Sequence, residues 1–156
     1  MIAATLAATI LAALATASSV CLGLVRAHRE TVASTLLLQE RLEQLRGGGW
    51  TNVTDSTMLC DQVLGRQSAQ EPMLTGVRQQ ITVSPYPEVS PAAAPLKVEK
   101  SPTGAVSVTS QPPVGFSLRE RISVRVDLRV EWTSRQNRRP RSRETSSIVA
   151  VGGLLR

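Results

Sequence analysis

The first twenty-five residues, MIAATLAATILAALATASSVCLGLV, carry no charged side chain, and Arg26 is the first residue that does. As a helix rising about 1.5 Å per residue the run is roughly 38 Å long, enough to cross a hydrocarbon core of about 30 Å. A cleavable signal segment ordinarily has basic charge before a shorter apolar core and closes on a small-x-small site. ALATASS supplies the small residues, but no Lys or Arg precedes the core and the apolar run continues past Ala17. A buried core helix would need protein on every side, and only about 130 residues follow, few of them aromatic. A membrane anchor fits length and composition best. Its many Ala, Ser, Thr and Gly residues suit close helix packing more than strong lipid binding. Leu6, Ile10, Leu11, Leu14, Val20 and Leu22 are the candidate lipid- and helix-packing residues.

The helix is expected to continue into water. In RAHRETVASTLLLQERLEQLRGGGW, Leu24, His28, Thr31, Thr35, Leu38, Leu42 and Leu45 recur at steps of three and four, while Arg29, Glu30, Glu40, Arg41 and Glu43 fall on other faces. No Pro or Gly interrupts residues 25–46. The whole helix should reach on the order of 65 Å and stop at Gly47, Gly48 and Gly49, with Trp50 folding back onto the apolar face. In TDSTMLCDQVLG, Thr54, Asp55 or Ser56 is placed to cap a short helix carrying Met58, Leu59, Val63 and Leu64, with Gly65 as its stop.

From Arg78 the apolar period changes to two. RQQITVSPY places Ile81 and Val83 on one face, and Pro85 and Pro87 turn its end into an edge or loop. Seven of the nine prolines lie between residues 85 and 113, which predicts a loop-rich stretch. Within it LKVEKSPTGAVSV reads as a hairpin, with Leu96 and Val98 in one arm, Val106 and Val108 in the other, and residues 101–104 as the turn. RISVRVDLRVEW alternates Ile122, Val124, Val126, Leu128, Val130 and Trp132 inward against Ser123, Arg125, Asp127, Arg129 and Glu131 outward. It is expected to be a central strand. After the turn TSRQNRRPRSR, ETSSIVAVGG pairs back as the last strand.

The chain thus divides into a membrane-spanning half-helix (1–25), an amphipathic half-helix (26–46), a connection with a short helix (47–77) and a sheet region (78–156). The fold class is α+β, a long N-terminal helix packed on a small antiparallel sheet. Val32, Leu38, Leu42, Leu45, Trp50, Val126, Leu128 and Trp132 are the expected helix–sheet contacts.

Little points to catalysis. Cys21 and Cys60 are far apart and outside any metal-type cluster, and the lone His28 has no Cys or His at ligand spacing. No phosphate loop, nucleophile elbow or metal motif is present, so neither cofactor nor metal is expected and the chain is read as a non-enzyme. A net charge of +6 and a pI near 10.6 allow an anionic partner. Arg135, Arg138, Arg139, Arg141 and Arg143 form a candidate anion-binding loop, for which DNA is one possible ligand. Only 3% of the residues are aromatic, which leaves few platforms for stacking single strands.

A long helix, apolar and then amphipathic, closed by an antiparallel sheet resembles type IV pilins and type II secretion pseudopilins. TLAATILAALATA resembles the pilin core segment, LLLQERLEQLRGGGW the helix end of pilin-like proteins, and VDLRVEWTSRQNRRPRSRETSSIVA their closing hairpin. The resemblance implies a minor pilin or pseudopilin that assembles with other pilin-like subunits into a homo- or hetero-filament. It also implies storage in membrane lipid as a single-pass protein of the bacterial inner membrane, with its C-terminal domain periplasmic or in an extracellular filament. The family motif has a basic leader ending in Gly and a glutamate five residues into the mature chain. If Met1 and Ile2 fill the third and fourth mature positions, Ala3 stands in place of that glutamate. Either the start and leader lie upstream of Met1, or the chain is a divergent minor subunit with nothing to join above it. Arg26 and Arg29 would by themselves hold their end in the cytoplasm, and a basic leader would reverse that bias.

Overall fold

The computed structural model describes residues 2–87, 94–113 and 115–154. Within them one helix, α1 (Ile2–Thr54), is followed by a short helical segment and a six-stranded antiparallel sheet. This is the expected α+β arrangement.

Helix α1 does not stop at Arg46. Gly47 and Gly48 keep helical geometry, and the break falls at Gly49, whose φ of 66° and ψ of −165° lie where only glycine sits without strain. Trp50 therefore does not follow the helix as a loop residue but opens its last stretch, which ends at Thr54. Of the three candidate caps Asp55 is the one used. Its carboxylate accepts from the Thr57 and Met58 N–H groups at the start of α2 (Ser56–Met58). The turn then widens into a π-helix, Leu59–Leu64, that buries Leu59, Val63 and Leu64 and closes at Gly65.

The strands are β1 (Thr75–Pro85), β2 (Leu96–Lys100), β3 (Val106–Ser110), β4 (Ser123–Thr133), β5 (Pro140–Ala150) and the two-residue β6 (Gly153–Leu154), in the order β3-β2-β1-β4-β5-β6. The β2–β3 hairpin and the central place of β4 follow the sequence pattern. Strand β1 begins at Thr75, three residues before Arg78, because its register shifts between Thr75 and Arg78 around Gly76. Pro85 still pairs with Val124 at the end of β1, so the prolines end the strand without moving it to an edge. The Pro-rich stretch is only partly described, since residues 88–93 lie outside the described residues.

Alternation on β4 sets the core. Val124, Val126, Leu128, Val130 and Trp132 are buried, while Arg125 and Arg129 face solvent beside Asp127 and Glu131. The first residue of the pattern departs from it. Ile122 precedes the strand and is 82% exposed, whereas Ser123 is buried, its hydroxyl donating to the Tyr86 carbonyl. Outside, Arg125–Asp127 and Arg129–Glu131 ion pairs cover the solvent face. Inside, α1 crosses β4 and β5 while the π-helical turn covers β2 and β3.

The helix turns a different face to the sheet than its apolar spacing suggests. Ala33, Ser34, Leu37, Leu38, Arg41 and Leu45 are buried, as is Glu30, while Leu24 and His28 are exposed. Val32 is 41% exposed and lies outside the core that joins helix to sheet. The face can hold Glu30 and Arg41 because other elements bring partners to them.

Candidate functional site

The stem of α1 has almost nothing packed on it. Ala3, Leu6, Ile10, Leu11, Leu14, Val20 and Leu22 are exposed, Leu11 by 67%. Its most apolar stretch is almost bare of protein contact, and among the described residues this helix near the N-terminus is the one long and apolar enough to span a membrane. Its three threonine hydroxyls are internally satisfied. The Thr5, Thr9 and Thr16 hydroxyls donate to the Ile2, Leu6 and Ala12 carbonyls, which removes the cost of bare donors in an apolar solvent. Met1, at the alignment's third mature position, lies outside the described residues.

The stem meets the folded domain at Gly23, the one buried position before Glu30 among the described residues. Here the Gln136 carboxamide rests on the glycine so closely that a Cβ would collide with it. One further contact fixes the β4–β5 turn to the helix: the Arg135 N–H donates to Glu30 Oε1 at 2.9 Å. Within the turn Arg138 N–H donates to the Ser134 carbonyl and Ser134 N–H to the Arg139 carbonyl, each at 2.9 Å. Arg138 takes a positive φ of 54°, and the Asn137 carboxamide accepts from the Arg139 N–H at 3.1 Å.

The five loop arginines do not form one loop. Arg135, Arg138 and Arg139 occupy the turn, all exposed, but Arg141 and Arg143 are strand residues of β5, opposite Trp132 and Val130. The turn is tighter than TSRQNRRPRSR suggested because it closes by Arg139 and Pro140 already pairs with Thr133. Arg143 reaches back to the Thr35 hydroxyl of α1. The Arg135 guanidinium is occupied too, donating to Thr75 Oγ1 at 2.8 Å and to the Pro72 carbonyl at 3.2 Å.

Of the expected helix–sheet residues, Leu38, Leu45, Val126, Leu128 and Trp132 are buried together. Leu42 and Trp50 pack against them while partly exposed, and the Trp50 indole N–H donates to the Arg119 carbonyl at 3.3 Å. These two line a groove of about 270 Å³ beside Val126, Ser147 and Val149.

A buried polar cluster was not visible in the sequence. Arg41, whose side chain is 1% exposed, donates to Gln79 Oε1 at 2.9 Å, Gln44 Oε1 at 2.8 Å, the Arg66 carbonyl at 2.9 Å and Glu71 Oε1 at 2.7 Å, and also to the Val63 carbonyl. Lys100 Nζ holds both Glu71 oxygens at 2.9 and 3.0 Å, and Ser68 donates to Glu40. Glu40, taken from its spacing for an ordinary polar-face residue, is thus drawn into the cluster. Desolvation pulls the Arg41 pKa down against the opposing charges of Glu71 and Glu40. Burial alone would raise the Glu71 carboxyl, but hydrogen bonds from Lys100 and Gln79 and the charges of Lys100 and Arg41 outweigh it and hold it below its ordinary range. Every donor of Arg41 is directed at protein, so the cluster joins helix to sheet and leaves no open coordination site. Among the described residues no group of three or more His, Cys, Asp or Glu side chains is placed to hold a metal.

Compared with protein-family models, with curated proteins and with solved structures, the chain matches none.

Proposed function

We propose that this protein is a pilin-like structural subunit, stored in a membrane by its apolar stem and assembled with other such subunits through the outer face of α1. The observation that carries the reading is an apolar stripe that does not end where the charges begin. Leu14, Val25, Val32 and Leu36 stand eleven, seven and four residues apart, close to whole helical turns, so they share one face. Val25, Val32 and Leu36 are all exposed although the last two lie within the half of α1 that covers the sheet. A helix that served only to anchor a domain would have no use for apolar residues there. A neighbouring helix would cover them, and the small residues of the stem would let the two backbones approach. In this reading the compartment is the bacterial inner membrane, with the sheet domain on its outer side or in a filament.

Catalysis has no comparable support, since the buried charged cluster around Arg41 and Glu71 is consumed by contacts within the protein. The test is assembly. In full-length protein with Cys60→Ser, expressed in a bacterial membrane, exposed Cys21 on the same flank of the stem should link neighbouring subunits into dimers when a bismaleimide is added. Val32→Arg with Leu36→Arg should abolish the dimers without lowering thermal stability, and electron microscopy of sheared material should show filaments only for the parent. Subunits that stay monomeric at every expression level would overturn the reading.

A further inference from the structure

The β4–β5 turn is held at one particular height on α1, the end of the apolar stem. Gln136 lies on Gly23, and Arg135 is bound through its backbone to Glu30, so the turn spans the level at which the uncharged run gives way to Arg26 and Arg29. We propose that Arg26, Arg29, Arg138 and Arg139 form a basic collar that binds the anionic phospholipid headgroups of the membrane holding the stem. The proposal rests on the anchor reading of the stem and gives that anchor a lipid preference.

Geometry supplies the occupant. Arg29 is four residues beyond Val25, about 6 Å along the helix axis. The headgroup layer on each side of a bilayer is about 5–8 Å thick, so a stem buried to Val25 places this level among the phosphates. Charge agrees with position. Arg26, Arg29, Arg138 and Arg139 are exposed, and none of them forms an ion pair among the described residues. The carboxylate nearest the turn, Glu30, is buried and faces the turn backbone, so it does not offset the collar at the surface. Arg135 and Arg143 are tied to Thr75 and Thr35 and hold the turn in place. Nucleic acid would meet a short turn whose approach is blocked by the membrane on one side, whereas lipid phosphates meet all four guanidinium groups at once.

The test uses the full chain in vesicles of phosphatidylcholine alone, or of equal parts phosphatidylcholine and phosphatidylglycerol. Arginines are modified with phenylglyoxal and each site is read by mass spectrometry. Arg119, beside Trp50 at the far end of α1, serves as the internal control. In the anionic vesicles Arg138 and Arg139 should react roughly fivefold more slowly, the factor for about one favourable contact per arginine near a charged surface. Molar salt should remove the protection, and Arg119 should be unchanged. Equal reactivity in the two vesicle types, with the protein still resisting alkaline carbonate extraction, would overturn the collar and leave the anchor standing. Release by carbonate would overturn both. Protection given by duplex DNA on neutral vesicles, but not by phosphatidylglycerol, would replace lipid with nucleic acid as the ligand.

Discussion

Arg41 and Glu71, thirty residues apart in sequence, meet at 2.7 Å beneath the sheet and bind five elements to one another. Arg41 stands on α1 and reaches the Val63 carbonyl of the π-helical turn, Glu71 begins a short 3-10 helix, Gln79 belongs to β1 and Lys100 to β2. Such an arrangement adds little net stability over a well-packed apolar one, but it is intolerant of losing a member.

Arg41→Ala should therefore destabilise the domain by about 3–5 kcal/mol, because it leaves Gln44, Gln79 and two carbonyls without their donor and removes one of the cations that hold Glu71. Urea unfolding of the detergent-solubilised chain measures it. A loss below about 1 kcal/mol would mean that water replaces the guanidinium without penalty.

Acid should weaken the same cluster. The Glu71 carboxyl titrates below its ordinary 4.5 in the folded chain, so the unfolded chain binds more protons there. Its contribution is complete above that ordinary value and is lost as the pH falls through the lower, folded one. Asp55, lowered chiefly by the Thr57 N–H, acts in the same direction from a more exposed position. The melting temperature should drop between about pH 5 and pH 3, and Glu71→Gln should flatten that drop while lowering stability at neutral pH.

Two substitutions separate surface from core on the closing hairpin. Arg138→Ser with Arg139→Ser should change stability by no more than about 0.5 kcal/mol, since both side chains are exposed. Val126→Asp places a carboxylate at a buried position between Val83 and Ser147 and should cost at least about 4 kcal/mol. Thermal melts of the two variants side by side decide it.

The sequence revealed those features that depend on local pattern. Strand β4 shows its alternation outright, the β2–β3 hairpin is marked by Pro102 and Gly104, and the charge-free stem needs no partner to be recognised. The rotation of α1 was hidden for the opposite reason. Which face of a helix turns inward depends here on Glu30 and Arg41, and their partners, Arg135 and Glu71, are 105 and 30 residues away, so no spacing announces them. Val32 looked inward because it is apolar, yet the face that carries Arg41, with all its donors bound, and Glu30, held by the Arg135 N–H, is the one turned to the sheet. The arginines after Thr133 read as a solvated loop because they are charged and adjoin a proline. A six-residue turn instead leaves Arg141 and Arg143 on a strand, a distinction set by Asn137 and the left-handed Arg138.

Removing residues 1–25 should leave a soluble domain with its β-sheet circular dichroism. The apolar core begins at Ala33, and the stem's contact with the domain is the Gln136 side chain on Gly23. An aggregated product would show that the stem shields part of the core.

Gly49→Ala should cost about 1–3 kcal/mol although open space surrounds the site, because the penalty comes from the backbone angles and not from a clash. If Trp50 fluorescence shifts to the red together with the loss, the break at Gly49 is what seats the indole against the core.

The helix runs without a break from the stem into the domain, since its first departure from helical geometry is at Gly49. The sheet is therefore fixed to the stem like a blade to a shaft. One residue inserted between Val25 and Arg26 would turn the blade by about 100° and raise it by about 1.5 Å relative to the stem. Any rotation of the shaft would thus dictate the compass bearing of the sheet, with no loop between them to absorb an error.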